Sequence, residues 1–215
     1  MKLKICCAFV LSLLVMPVSA DMQSFVRETQ KTEVTHSAMK MIWWIPKEFW
    51  VESFKNNPRM TELQVKEFIS VVDDYTMVAI VDVKFGPFAS IESKKYEDIE
   101  KDLYLEVNDE KYFPIKKSNL KQDISNFFNS MKPIMSQGVG KFGEGMEFFV
   151  FDSKDKNGNR LLDPYKEMKF SFVTDKKYNY RLPLAALLPD KFDPVTKEIF
   201  PGNYKFNPFT GVTLR

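Results

Sequence analysis

The stretch Thr76–Phe85, T-M-V-A-I-V-D-V-K-F, predicts the central strand of a β-sheet. Val78 and Ile80 make its first half apolar on both faces, and a strand buried on both faces lies inside its sheet. Gly86 and Pro87 end the strand pattern. Successive strand residues point to opposite sides of a sheet. The side opposite Val78 and Ile80 therefore carries five apolar side chains: Met77, Ala79, Val81, Val83 and Phe85.

Further strands are predicted where apolar residues alternate in the same way, at Met146–Phe151, Met168–Val173 and Tyr178–Leu182. Leu103–Val107 and Lys111–Ile115 flank a short polar turn and predict a hairpin. Since strand and helix segments are mixed along the chain and their connections are short, the sequence predicts an α+β fold. We expect an antiparallel β-sheet or sandwich core with two or three packed helices.

Three helices are indicated by their ends and by their periodicity. Pro46 suits the first turn of a helix that runs to about Asn56. Thr61 is placed to cap a second helix, in which apolar residues recur at helical spacing. The strongest helical pattern spans residues 118–132, and Pro133 is expected to kink or end it.

The N-terminus, Met1–Ala20, has the composition of a secretory signal peptide. Lys2 and Lys4 precede the apolar run Ile5–Val15, and Val18–Ala20 supplies the small residues of a cleavage site. We therefore expect an exported protein, periplasmic or extracellular, without stable membrane insertion after cleavage. An uncleaved N-terminal anchor is the alternative.

Cleavage would remove Cys6 and Cys7, the only cysteines, so the mature chain would have neither a disulfide nor a thiol nucleophile. It would also leave 29 basic against 29 acidic residues, without a block of like charges. Nucleic acid is not expected as a partner, because phosphate binding needs a concentrated basic face. Electrostatic docking on an anionic membrane is disfavoured for the same reason.

Three motifs match functional patterns only in part. Gly138–Gly145 contains G-x-G-x-x-G, but it follows a helix and precedes a strand, so we expect a flexible connection and no phosphate loop. Asp152–Asn159 resembles a calcium loop, yet Pro164 falls where that loop requires a glutamate, and a turn is expected instead. His36, the only histidine, lies in a polar segment that predicts no pocket.

Carboxylate-only catalysis needs two acids at a set separation in space, which spacing along the chain does not report. Asp73, Asp74 and Asp82 flank or occupy the predicted central strand and are the candidate catalytic residues. The candidate sugar-stacking residues are three tryptophans: Trp43, Trp44 and Trp50. The structural alternative is that the aspartates end a helix and the tryptophans anchor the core.

The C-terminal stretch Phe192–Leu214 holds two near-copies of one turn, D-P-V-T-K and N-P-F-T-G, 14 positions apart. Cysteine at four positions would complete the ligand spacing of a four-cysteine zinc ribbon: Asp193, Thr196, Asn207 and Thr210. The segment 192–214 therefore resembles a degenerate zinc ribbon that has lost its ligands. The resemblance covers about a tenth of the chain, and the main domain resembles no family.

The resemblance implies a hairpin without metal, because one Asp, one Asn and two Thr offer at most one anionic oxygen, a poor zinc set. No cofactor is expected. Asp193 and Asn207 are expected to accept N–H groups of their own turns, with no ion between them. Two Asx-Pro turns without zinc ancestry are the alternative.

These patterns divide the chain into a signal peptide (1–20), a polar lead-in (21–40), a main α+β domain (41–188) and a ribbon-like tail (189–215). The lead-in is expected to be loosely attached or to form an edge strand. A unit as small as the tail rarely folds alone without metal, so it should pack on the main domain, against Leu182–Leu188. Six apolar residues are available for that packing: Phe192, Ile199, Phe200, Tyr204, Phe206 and Phe209.

The sequence favours an exported, non-enzymatic binding or assembly module whose partner, a protein or a glycan, it does not identify. The competing hypothesis is an exported carboxylate-dependent hydrolase that acts on glycans.

Overall fold

A computed structural model of the chain describes residues 20–55 and 60–215. Apart from Ala20, the predicted signal peptide lies outside the described residues. None of the described helices is long and apolar enough to cross a membrane.

Strands and helices are mixed along the described chain. The strands are β1 (Gln30–Val34), β2 (Ala38–Ile45), β3 (Tyr75–Phe85), β4 (Ile91–Ser93), β5 (Tyr104–Val107), β6 (Glu110–Tyr112), β7 (Met146–Asp152), β8 (Met168–Val173), β9 (Lys177–Leu182), β10 (Lys191–Phe192) and β11 (Ile199–Phe200). The α-helices are α1 (Ala20–Thr29), α2 (Lys47–Phe54), α3 (Glu62–Val72), α4 (Tyr96–Asp102) and α5 (Gln122–Gln137). Short 3-10 helices lie at Pro87–Ala89, Lys117–Asn119, Gly140–Gly145 and Ala185–Leu187.

The α+β prediction with an antiparallel core is confirmed, and β3 is the central strand. It pairs with β2 on one edge and with β7 and β4 on the other, all antiparallel, and β1 extends the sheet beyond β2. A second antiparallel sheet has the order β6-β5-β8-β9. The predicted hairpin is β5 and β6, with Asn108 and Asp109 at positive φ in its turn.

Each face of the first sheet is covered by a different layer. One face packs on the second sheet, where Ile42, Trp44 and Val78 meet Phe170 and Phe172 in a shared core. The other face packs on helices α2, α3 and α5 through a second core of buried side chains: Met41, Met77, Ala79, Val81, Trp50, Phe54, Ile124 and Met131. The molecule is therefore a two-sheet sandwich with a helical layer on one outer face.

The helix ends follow the local signals in the sequence. Thr61 caps α3 by accepting the Gln64 backbone N–H, and the Gln64 side chain accepts the Thr61 N–H in return, which is a capping box. Pro46 is the N-cap of α2, one residue before the first helical position that the sequence predicted for it. Both segments thus form the helices that were predicted.

The polar lead-in belongs to the folded domain. Its first half forms α1, which buries Phe25 to 1% exposure in the core between the sheets. Its second half forms the edge strand β1, as one of the two alternatives predicted. Loose attachment is wrong because Phe25, the most deeply buried apolar residue of this largely polar helix, packs in that core.

Pro133 does not end the strongest helix, since α5 continues to Gln137. Ile134 and Met135, the next two residues, are buried, and their burial offsets the hydrogen bond that proline removes. The following glycines form a 3-10 helix instead of a flexible connection. Gly143 packs so closely that a Cβ there would lie 1.9 Å from the Ser136 carbonyl oxygen.

One ion pair joins the loop between β7 and β8 to the helical layer. Both guanidinium nitrogens of Arg160 donate to the Glu48 carboxylate at 2.9 and 3.0 Å. The Glu48 side chain is 7% exposed and that of Arg160 is 32% exposed. Two parallel hydrogen bonds make this a geometrically specific pair, and they satisfy a carboxylate that burial would otherwise penalise.

Arg160→Met should lower the free energy of unfolding by about 2 kcal/mol, because Glu48 would keep its buried charge without a partner. Urea denaturation measures the change. Lys166→Met, which removes a 79% exposed lysine from an ion pair with Asp163, is the matched control and should cost under about 0.5 kcal/mol. Adding Glu48→Gln to Arg160→Met should recover part of the lost stability. If Arg160→Met and Lys166→Met lowered the free energy of unfolding equally, the expectation would be contradicted.

Candidate functional site

The three candidate catalytic aspartates are not brought together. Asp73 and Asp74 lie just before β3, where Asp73 pairs with Lys47 and Asp74 with Lys121. The hydrogen bond from Lys47 holds the pKa of Asp73 below its ordinary value. Asp82 lies on β3 seven residues beyond Tyr75, about 23 Å along an extended strand. Its carboxylate is 3.2 Å from the amine of Lys40.

The three tryptophans lie in different environments and do not form a stacking platform. Trp44 is 1% exposed in the core between the sheets, with its ring 4.9 Å from that of Phe170. Trp50 is 2% exposed in the helical layer. Trp43, half-buried, donates its indole N–H to Thr29 Oγ1 at 3.2 Å. Trp44 and Trp50 are core anchors, which was the structural alternative.

The remaining weak motifs have local roles. His36 is exposed in the turn between β1 and β2. In the segment that resembles a calcium loop, the Asp155 carboxylate accepts the backbone N–H groups of Asn157 and Asn159, each at 2.8 Å. Gly158 lies at φ 82°, so this segment is the turn that the sequence predicted.

The tail contains the most distinctive arrangement of polar groups in the described chain. Asp193 Oδ1 accepts the backbone N–H groups of Val195 and Thr196, at 2.7 and 3.1 Å. The Asp193 carbonyl oxygen accepts the N–H of Lys197, and its own N–H donates to Glu198. These bonds close a tight turn, with Lys197 at φ 64°.

The second turn repeats this pattern bond for bond. Asn207 Oδ1 accepts the N–H groups of Phe209 and Thr210, at 2.9 and 3.3 Å. The Asn207 carbonyl oxygen accepts the N–H of Gly211, and its own N–H donates to Val212. Gly211 has φ 75°, a backbone conformation that glycine adopts without strain. The prediction that Asp193 and Asn207 bond their own turns is confirmed.

The two turns meet through their first side chains. Asn207 Nδ2 donates to Asp193 Oδ2 at 2.6 Å, and Thr210 Oγ1 lies 3.4 Å from the same oxygen. Asp193 and Asn207 are 0% and 1% exposed. The hydrogen bond from Asn207 holds the pKa of Asp193 below its ordinary value. Thr196 is the exception, since its hydroxyl donates to Glu198 on the surface.

The donor set at this meeting point does not suit zinc. One carboxylate, one carboxamide and two hydroxyls lack the thiolate and imidazole ligands that zinc prefers. Three of these groups instead satisfy one another with hydrogen bonds. Across the described residues, His, Cys, Asp and Glu nowhere form a group of three or more that could hold a metal.

The apolar residues of the tail do not pack as the sequence suggested. Only Phe200 of the expected six is buried, together with Leu214. The tail contacts the main domain through a smaller surface within Leu182–Leu188, where Asn203 donates to the Pro183 carbonyl oxygen and Gly202 lies against Leu188. The other five apolar side chains are exposed: Phe192, Ile199, Tyr204, Phe206 and Phe209.

Strand pairing explains which tail residues point outward. Phe192 lies opposite Ile199, and its backbone exchanges both hydrogen bonds with Arg215. Phe206 lies opposite Thr213, two residues before Arg215. Residues that face each other across strands share a side, as do residues two apart. Phe192, Ile199 and Phe206 therefore share one face, while Phe200 and Leu214 alternate onto the buried one.

We call the exposed group Phe192, Val195, Ile199, Phe206 and Phe209 the tail face. Val195 and Phe209 occupy equivalent positions in the two turns, two residues after Asp193 and Asn207. The exposed fractions of the five side chains run from 46% to 85%. The sequence named four of these residues but assigned them to packing, because alternation alone does not show which face is covered.

Neither a family model, nor a curated protein, nor a solved structure matches this chain. The zinc-ribbon resemblance therefore rests on the ligand spacing in the sequence and on the repeated turn geometry.

A variant with cysteine at Asp193, Thr196, Asn207 and Thr210 should bind one zinc ion per chain under reducing conditions. Asp193, Asn207 and Thr210 already meet, and Thr196 occupies in its turn the position that Thr210 occupies in the other. Elemental analysis and the thiolate-to-cobalt absorption of the cobalt form measure this. The matched control places two of the cysteines one position earlier, at Val195 and Phe209, and should bind no stoichiometric metal. Failure of the first variant to bind zinc would support a plain double turn.

Acid should weaken the tail specifically. Because the folded-state pKa of Asp193 lies below its ordinary value of 3.8, its stabilising contribution is complete above that value and is lost as pH falls through the folded-state pKa. Hydrogen exchange should show backbone amides of residues 193–212 losing protection below about pH 4 before those of β3. Asp193→Asn should remove the pH dependence, and an unchanged profile in that variant would contradict this assignment.

Proposed function

We propose that this chain is an exported, non-enzymatic binding or assembly module that contacts a protein partner through the tail face. The observation that carries the proposal is the outward exposure of five large apolar side chains on a segment whose backbone is fixed by paired turns. Export is supported by the signal-peptide composition of the N-terminus.

The size of the apolar surface supports an interface. Taking about 150–200 Å² for each side chain, the exposed fractions give roughly 600 Å² of apolar surface in total, about half of it on the strand face shared by Phe192, Ile199 and Phe206. The largest apolar patch of a typical monomer is about 300–600 Å², and such patches are often functional. One side of a standard protein interface buries about 800 Å² in total.

The chemistry of the tail face also fits a protein partner. Three of its five side chains are phenylalanines, and aromatic residues are enriched in the cores of interfaces. Lys191, Lys197 and Lys205 lie in the same segment, so charged groups of the kind found in an interface rim accompany the apolar residues along the chain.

The backbone beneath the tail face is ordered before any partner binds. Each turn is closed by four hydrogen bonds to the side chain and backbone of Asp193 or Asn207, and the Asn207–Asp193 bond joins the turns. Fixing a contact surface in advance reduces the conformational entropy that binding must overcome. The paired turns therefore present the tail face as a rigid unit.

A photo-crosslinking amino acid at Phe209, introduced in the producing cell, should yield one discrete adduct larger than the chain. The same group at Phe113, an exposed phenylalanine of the main domain, is the matched control and should yield none. Phe192→Ser with Phe206→Ser should reduce the Phe209 adduct at least about tenfold, as expected when two aromatic contacts are lost.

Two outcomes would overturn the proposal. The first is an adduct from Phe209 that the double serine variant leaves unchanged. The second is turnover of an oligosaccharide panel that is abolished by Asp74→Asn or Asp82→Asn, which would establish the hydrolase instead.

A further inference from the structure

A broad groove of about 1020 Å³ lies over the second sheet. Its lining is mostly charged and polar, whereas the tail face is apolar. Its floor includes the outward side chains Lys169 and Ser171 of β8 and Asn179 and Arg181 of β9. Three further segments border it. We call this groove the basic trough, and its border residues are Arg27, Glu28 and Lys31 at α1 and β1, Asn108 and Asp109 after β5, and Asn203 of the tail.

The acidic residues of the basic trough are largely satisfied within the chain. The Glu28 carboxylate accepts the backbone N–H groups of Ala185 and Ala186, at 2.8 and 2.9 Å. Glu106 pairs with Lys177. Among the described residues of the trough, Glu28 and Asp109 have no ion pair, and no hydrogen bond to the Asp109 carboxylate is found. The negative charge available to a ligand is therefore small.

The basic residues of the trough have fewer ionic partners within the described chain. Arg27, Lys31 and Lys169 form no ion pair within the described part of the chain, and Lys31 lies over the Tyr180 ring, 5.3 Å from its centre. Arg181 reaches Glu167 only at 3.7 Å, and Glu167 is already bonded to Lys205 at 2.6 Å. The trough thus presents four cations without a close ionic partner against two acids without an ion pair, Glu28 and Asp109.

Two of these cations oppose each other across strands. Lys169 lies directly opposite Arg181 in the β8–β9 register, and both side chains are exposed on the outward face. Like charges in such a pair destabilise a sheet. An anionic group bound between them would relieve the repulsion, so the pair points to an acidic ligand.

The trough also runs along a free strand edge. β9 pairs with β8 on one side, and no described strand pairs with its other edge. The unpaired N–H and C=O groups of an edge strand form a template for an added strand. Arg27 and Lys31 line the same groove as Arg181, and the Lys31 amine lies 5.3 Å from the ring centre of Tyr180 on β9. A strand added to β9 would therefore lie near these cations.

We infer that the basic trough binds an extended acidic peptide, which adds to β9 as a fifth strand of the second sheet. The backbone of the peptide pairs with the β9 edge, and alternate acidic side chains meet Lys169 and Arg181 on the floor. This mode draws affinity from main-chain hydrogen bonds and specificity from alternate side chains. The site is independent of the tail face and of the function proposed for it.

The test uses a fluorescein-labelled decapeptide of alternating glutamate and threonine, with the full-length mature protein and fluorescence anisotropy. We expect saturable binding with a Kd below about 1 mM that weakens as salt is raised. The same peptide with lysine in place of glutamate should not bind. Absence of binding by the acidic peptide overturns the inference.

Two N-methylated versions of the acidic peptide separate strand pairing from simple charge attraction. One is methylated on every glutamate nitrogen and the other on every threonine nitrogen, so each blocks one edge of the added strand. One version should bind at least about tenfold more weakly than the parent, and the other should bind within a few-fold of it. Equal binding by all three peptides overturns strand addition.

Lys169→Glu supplies a readout that loss of folding does not mimic. It should weaken peptide binding about tenfold, because the floor loses a cation and gains an acid. It should also raise Tm slightly, because glutamate opposite Arg181 replaces a repulsive pair with an attractive one. Lys101→Glu, on the exposed surface of α4, is the matched control and should leave binding unchanged.

Two further results would contradict the inference. One is unchanged affinity in Lys169→Glu, which would remove the basic trough from the binding surface. The other is displacement of the peptide by polygalacturonate at equal carboxylate concentration together with insensitivity to N-methylation, which would indicate an acidic-glycan site.

Discussion

Burial of both faces of β3 is the constraint on which the rest of the structure depends. Val78 and Ile80 face the second sheet, while Met77, Ala79 and Val81 face the helices, and all five side chains are almost completely inaccessible. A strand that is apolar on both faces requires two separate covering layers. The second sheet and the helices α2, α3 and α5 are those layers, and the edges and outward faces that remain are the surfaces available for binding.

The tail shows how a small unit can be ordered by polar contacts. Its two turns share one hydrogen-bond pattern, and the Asn207–Asp193 bond joins them at a buried point. Small units of this size usually need a metal or a disulfide. Here, hydrogen bonds between the turns and the packing of Phe200 and Leu214 order the segment. Because these contacts are enough to hold it, the other apolar side chains of the tail remain exposed to solvent. The same arrangement therefore explains both the rigidity and the exposure of the tail face.

Local signals predicted the elements well, and long-range packing explains the misses. The Thr61 cap and the strands from Met146, Met168 and Tyr178 depend on neighbouring residues, and the structure has them where the sequence indicated. α1 was missed because the contacts that hold this polar helix in place are long-range: Phe25 packs between the sheets, Thr29 accepts from Trp43, and Glu28 accepts from Ala185 and Ala186. α5 passes Pro133 because burial of the next turn outweighs a lost hydrogen bond. The candidate aspartates and tryptophans were proposed from composition, which reports no distance between them.

The sequence by itself determined the α+β class, the central strand and the chemistry of the two tail turns. These follow from side-chain periodicity and from the ability of Asp and Asn to accept nearby N–H groups. Only the tertiary structure decided which apolar face of the tail is covered, that Lys169 opposes Arg181, and that the β9 edge has no described partner. Periodicity shows which side chains share a face, but what lies against that face depends on segments far away in the chain.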